Sequence, residues 1–151
     1  METQRRTFGN ENYSYITDTD INLAVQQGER GVADLVKKIW MHPDHPENWN
    51  VQPNRHTRSE FLVYSLPGQW HYADAKLTVK DGLLHVLLLC RDYLIPRSLD
   101  GGNDARQNQM TYIARMIQGG KGFNDLVRRI QMMFVNFWPN DVQLPEGLEN
   151  L

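Results

Sequence analysis

Twelve consecutive positions, 40–51, hold two histidines, two asparagines, two tryptophans and two prolines: Trp40-Met41-His42-Pro43-Asp44-His45-Pro46-Glu47-Asn48-Trp49-Asn50-Val51. Imidazole and carboxylate suit zinc and other transition metals, so His42 and His45 are candidate ligands, with Asp44, Glu47 or His56 to complete a shell. The competing reading is a rigid turn. Its prolines restrict the unfolded chain, Asp44 and Asn48 bond local backbone, and the imidazoles bond main-chain groups. His-Pro-Asp-His has no established ligand spacing, so the turn is preferred: a stiff brace between a helix and a small sheet, its polar groups bonded internally.

A catalytic alternative draws on the same residues. Nucleases of the ββα-metal class use a histidine base, an asparagine that orients it and a metal-binding histidine. Here His42 or His45, Asn48 or Asn50, and His56 supply those types. The histidine would activate water and the metal would stabilise charge on the phosphorane. That class needs a helix directly after its hairpin to carry the last ligand, whereas this chain continues into a further strand at 60–66. Other chemistry is poorly served. Gly119-Gly120-Lys121-Gly122 lacks the preceding strand and the Lys-Ser/Thr pair of a phosphate-binding loop. Cys90 lies in an apolar helix and reads as core, not nucleophile. No cofactor motif is present.

Two binding features remain. Asn54-Arg55-His56-Thr57-Arg58 is a local basic stretch, either a solvated loop or a contact to phosphates. Trp49, Trp70 and Tyr72 form a candidate stacking platform for bases, with burial in a small sheet as the ordinary alternative. The chain as a whole has no strong attraction for nucleic acid, because its formal charge is −2.

These residues sit in a chain of 151 residues, of which 40% are hydrophobic and 23% charged. That length supports one core without staples, and the single cysteine excludes an internal disulfide framework or a cysteine-rich zinc site. One unpaired cysteine fits a reducing compartment. Residues 1–10 are polar and carry Arg5 and Arg6, unlike a signal peptide or an anchor. The longest apolar run, at 83–90, is broken by His85 and too short to span a bilayer.

The elements that position the motif follow from periodicity. Asp18 or Thr19 can cap a short helix through Ile21, Leu23, Ala24 and Val25, ended by Gly28 and Gly31. Val32, Leu35, Val36, Ile39 and Trp40 share one face of a second helix, ended by Pro43 and Pro46. Strands are expected near 49–52, over 60–66 and over 69–73, with Pro67-Gly68 as the hairpin turn. Thr78 and Asp81 suggest a cap for a helix over 79–94 that is apolar on most faces and therefore central. Pro96 should end it, with a loop over 98–104. Two helices follow, one through Met110, Ile113, Ala114 and Ile117, the other through Phe123, Leu126, Val127, Ile130, Met133, Phe134 and Phe137. The second, with Trp138 beyond it, packs on the core or against a partner, and residues 140–151 form a loose tail.

The order Phe8-Gly9-Asn10-Glu11, then Tyr15-Ile16-Thr17-Asp18-Thr19-Asp20, then a helix, then His45-Pro46-Glu47-Asn48-Trp49-Asn50-Val51 resembles an HPEN-x-N domain of proteins from nucleocytoplasmic large DNA viruses. Tyr64, Gly68 and Trp70 fall where the family's hairpin pattern places them, so the resemblance covers about residues 8–95. It implies a viral setting. Relatives often carry a two-cysteine two-histidine zinc finger ahead of this domain, which a chain with one cysteine lacks.

The expectation is an α+β fold: N-terminal helices, a three-stranded antiparallel sheet, a central apolar helix and a C-terminal helical pair. Residues 1–96 form the HPEN-x-N unit, and 97–151 a helical extension on the same core. The expected function is non-catalytic recognition or assembly, with a protein partner or a second copy, or nucleic acid through Arg55, His56, Arg58, Trp49, Trp70 and Tyr72; a structural component of the virion is an alternative. No membrane association is expected. The setting is the host cytoplasm or nucleus, or the virion interior.

Overall fold

Capping and apolar spacing set the N-terminal helices, α1 (Asp18–Gln27) and α2 (Glu29–Trp40). The cap of α1 is Thr17, one residue before the expected Asp18. Thr17 Oγ1 accepts from the Asp20 N–H, and the Asp20 carboxylate accepts from the Thr17 N–H, a reciprocal pair. The five apolar residues of α2 are all buried, as their spacing predicts. Gly28 separates the helices, but Gly31 does not stop anything: it lies inside α2. A Cβ there would stand 2.5 Å from the Ala24 carbonyl oxygen, so only glycine lets α2 approach α1 this closely.

The structure, a computed structural model, describes residues 4–54, 56–99 and 104–137. The expected features at Arg55, Trp138 and residues 140–151, and most of the glycine loop at 100–103, fall outside them.

After α2 a 3₁₀ turn at Pro46–Asn48 leads into β1 (Val51–Pro53), β2 (Glu60–Leu66) and β3 (Gln69–Asp74). These form one antiparallel sheet in the order β1-β2-β3. Val51 pairs with Val63, and Pro53 with Phe61, which pairs with Ala73. With a period of two, those residues face the helices, while Leu62, Tyr64, Trp70 and Tyr72 share the outer face. β3 is an edge strand.

α3 (Ala75–Leu99) starts earlier and runs longer than expected. Its cap is Asp74, whose Oδ1 accepts from the Leu77 N–H at 2.9 Å, and not the Thr78/Asp81 pair. Thr78 lies within the helix and its hydroxyl donates to the Asp74 carbonyl. Pro96 also lies within the helix. Arg97 ties this last turn: its guanidinium covers the Tyr93 ring at 3.7 Å, donates to the Tyr93 carbonyl and reaches Asp18 on α1.

α3 contacts all four other α-helices, α1, α2, α4 (Asp104–Gln118) and α5 (Lys121–Phe137), and also strands β2 and β3. Val79, Leu83, Val86, Leu87, Cys90 and Leu94 are buried along it. Ile113 and Met116 of α4, and Leu126, Val127, Ile130 and Phe134 of α5, belong to the same apolar cluster as α1, α2 and the sheet. Phe134 meets Phe61 of β2 with ring centroids 5.7 Å apart. Cys90 is a core residue, its thiol pushed up to about 12 by burial. No helix among the described residues is long and apolar enough to cross a membrane.

Candidate functional site

The motif at 42–50 forms a brace, and its side chains bond inward. Asn48 is fully buried. Its Oδ1 accepts from the Asn12 N–H at 2.7 Å, and its Nδ2 donates to the Asn12 carbonyl at 2.8 Å and to the Tyr15 hydroxyl at 3.0 Å. One amide therefore pairs with a peptide unit as a neighbouring strand would. The Tyr15 hydroxyl in turn faces the Lys38 and Ile39 carbonyls at the end of α2, at 3.0 and 2.9 Å. Those carbonyls lack partners within the helix, so the phenol caps α2 while it locks Asn48.

Asn50 is also fully buried, and its Nδ2 donates to the Arg6 carbonyl at 3.2 Å. Residues 6–12 thus lie over the brace as a strap, reinforced by Arg6 N–H to the Glu47 carbonyl and Phe8 N–H to the Tyr64 carbonyl, both 2.7 Å. Gly9 takes φ +96° at the bend, which places its N–H on the Glu11 carboxylate at 2.8 and 3.0 Å.

The two histidines differ. His42 Nδ1 accepts from the Asp44 N–H at 3.1 Å, so the neutral ring carries its proton on Nε2 and has no lone pair there for a metal. His45 stacks on Tyr15, with centroids 3.6 Å apart and planes 5° from parallel. Its Nδ1 donates to Glu47 Oε1 at 2.9 Å, so in the neutral ring the lone pair lies on Nε2. Burial pushes the Glu47 carboxyl up, but hydrogen bonds from His45, its own backbone and Asn12 outweigh this and hold it below the usual range. The Trp49 indole N–H donates to the His42 carbonyl at 2.9 Å, which closes the turn.

Not all the residues singled out in the sequence come together. His42 and His45 do, with centroids 5.1 Å apart. Asn48 and Asn50 hold the strap and are not hydrogen-bonded to either imidazole. His56 lies in the exposed β1–β2 loop, where its N–H donates to Asn54 Oδ1. Among the described residues no group of three or more His, Cys, Asp or Glu is placed to hold a metal ion. Arg58 is exposed in the same loop, and its carbonyl accepts from Gln131 of α5 at 3.0 Å. Trp70 and Tyr72 share the outer face of β3, but Trp49 is engaged in the brace. Trp70 packs on Tyr64 at 5.4 Å, and the Arg5 guanidinium covers its ring at 4.9 Å, where a base would stack. Burial there lowers the Arg5 pKa.

The residues that sequence reasoning did not assign are Glu11, Asn12 and Tyr15. Glu11 and Tyr15 belong to the strings that carry the viral resemblance, and that was the available signal. Glu11 is 4% exposed, and burial pushes its carboxyl up to about 7. Burial likewise raises the Tyr13 and Tyr15 phenols. No protein-family model, curated protein or solved structure matches the chain.

Proposed function

We propose that this chain is a non-catalytic recognition or assembly module of a large DNA virus, meeting a protein partner at the outer side of its β2–β3 hairpin. The observation that carries this reading is the inward bonding of the motif: Asn48 and Asn50 have no exposed surface. The hairpin exposes two large apolar side chains among the polar Glu60, Gln69, His71 and Asp74. Leu66 is 58% and Tyr72 41% exposed, beside the edge strand β3, whose outer edge can accept another strand. His56 and Arg58 are exposed in the β1–β2 loop, at the opposite end of β2 from Leu66, and a nucleic acid would meet that loop instead. The resemblance to HPEN-x-N domains supports the viral setting and a place in the host cytoplasm or nucleus, or in the virion interior. A second copy of the chain is an alternative occupant of the edge.

Pull-down from infected cells, with and without nuclease treatment, tests this. The expected result is a viral protein retained after nuclease and lost with Leu66→Ser/Tyr72→Ala. Retention that nuclease abolishes assigns the contact to nucleic acid, and no retention in either condition refutes the module.

A metal-dependent nuclease is the second reading, and the His45–Glu47 pair favours it: a carboxylate orients an imidazole whose Nε2 carries the lone pair. It predicts plasmid cleavage that needs a divalent metal and vanishes in His45→Ala. Absence of cleavage with magnesium, manganese and zinc removes it.

A further inference from the structure

The strap holds a buried carboxyl group, Glu11, that no described residue meets with an opposite charge. Among the described residues no cation lies within ion-pair distance of the Glu11 carboxylate; the Gly9, Asn10 and Glu11 N–H groups and, at 3.4 Å, Asn50 Nδ2 donate to it, and burial outweighs them. Beside it, Asn50 Oδ1 is buried with no donor among the described residues. An anion in such a place keeps little of its hydration, and a buried carbonyl lacking a donor is itself unfavourable. A proton on Glu11 removes the first cost and brings a donor next to the second group.

We propose that Glu11 is a proton-operated latch: neutral, it seals residues 6–12 onto the brace and β2; ionised, it lets that strap lift away. The mechanical links are all in place. Glu11 bonds Gly9 at the bend of the strap, Asn50 joins Glu11 to the Arg6 carbonyl, and Phe8 and Asn12 attach on either side to Tyr64 and Asn48. Opening transfers the carboxylate to water without unfolding the helices.

The other titratable and charged groups around the strap do not substitute for Glu11. Arg6 donates to the Asn10 carbonyl, on the strap itself. Tyr13 and Tyr15 have phenols raised further by burial, so they stay neutral near pH 7. From the brace Glu47 is held ionised by His45 and Asn12, and from β2 the Tyr64 hydroxyl caps the Gly68 N–H. From α3, His85 faces Gly9: its Cε1 lies 3.8 Å from where a glycine Cβ would be. His45 and His85 are therefore the imidazoles that an experiment must separate from Glu11.

Amide hydrogen exchange by NMR from pH 6 to 9, corrected for intrinsic rates, reads the latch directly. Protection at Phe8 and Asn12 should fall about tenfold in all from pH 6 to 8 and then level off, while Val86 in α3 holds steady. Glu11→Gln keeps an acceptor for Gly9 and supplies a permanent donor beside Asn50, so its protection should not change with pH. A wild-type strap with constant protection overturns the proposal, as does the same loss in Glu11→Gln, which would assign the titration to His45 or His85. Should Glu11→Gln fail to fold, the wild-type carboxyl ¹³C titration decides: a midpoint near 7 supports the latch and one near 4.5 refutes it.

Discussion

At the residue scale, Asn48 carries the brace. Its amide occupies both polar groups of the Asn12 peptide unit, so truncation to alanine leaves a donor and an acceptor partly buried and unpaired. At about 1–3 kcal/mol per orphaned group, Asn48→Ala should cost about 3 kcal/mol in urea unfolding. A loss under about 1 kcal/mol would mean the pairing is incidental.

Glu11 and Glu47 set opposite pH limbs. The folded Glu11 pKa is raised from 4.5 to about 7, so its contribution is fully present below pH 4.5 and is lost as pH rises through 7. The shift corresponds to about 3 kcal/mol as an upper bound, which strap opening would cap. Glu47 and Asp20 are depressed: burial raises each, but bonds from His45 and Asn12 outweigh it at Glu47, and Lys38 with Thr17 at Asp20. Their contribution is present above the unfolded carboxylate range and lost as pH falls through the folded values. Urea midpoints should therefore rise from pH 8 towards pH 5.5 and fall again below about pH 4. Glu11→Gln should abolish only the alkaline limb; an unchanged limb would assign it elsewhere.

At the scale of elements, two glycines in helices make contrasting demands. A Cβ on Gly31 would meet the Ala24 backbone at 2.5 and 2.8 Å, and backbone cannot yield without moving α1. Gly31→Ala should destabilise by about 2 kcal/mol, despite alanine's better helix propensity of about 1 kcal/mol. A Cβ on Gly82 of α3 would meet the Trp40 ring at 3.5 Å and Phe8 at 3.7 Å, ordinary contacts. Gly82→Ala should therefore be neutral or stabilising by up to about 1 kcal/mol. Thermal unfolding of both variants compares them, and equal behaviour would contradict the packing of α1 on α2.

For the whole molecule, the shared core is the decisive feature. The C-terminal pair contributes Ile113, Met116, Leu126, Ile130 and Phe134 to the cluster that also holds Trp40 and Phe61. Phe134→Ala should cost about 3–5 kcal/mol. It should shift far-UV circular dichroism, tryptophan fluorescence and Cys90 labelling together, since one core unfolds as one unit. Separate transitions would divide the helical pair from the remainder.

Local patterns revealed much of this. The spacing of Val32 to Trp40, the Pro67-Gly68 turn, the apolar stripe of α5 and the core position of Cys90 could be read directly, because helix and strand periods are properties of near neighbours. The limits of α3 could not. Asp74 ends a strand and caps a helix at once, and Pro96 stays helical in a turn that Arg97 ties to Tyr93 and Asp18. The chemistry of the motif was decided furthest from the sequence. His42 and His45 bond groups two positions away, at Asp44 and Glu47, but whether the amides of Asn48 and Asn50 face a ligand or their own chain depends on partners 33 to 44 positions away: Asn12, Tyr15, Glu11 and Arg6. No local period encodes such a distance. Only the closed fold, with the strap laid across the brace, turned Asn48 and Asn50 inward and left Glu11 buried with no counter-charge among the described residues.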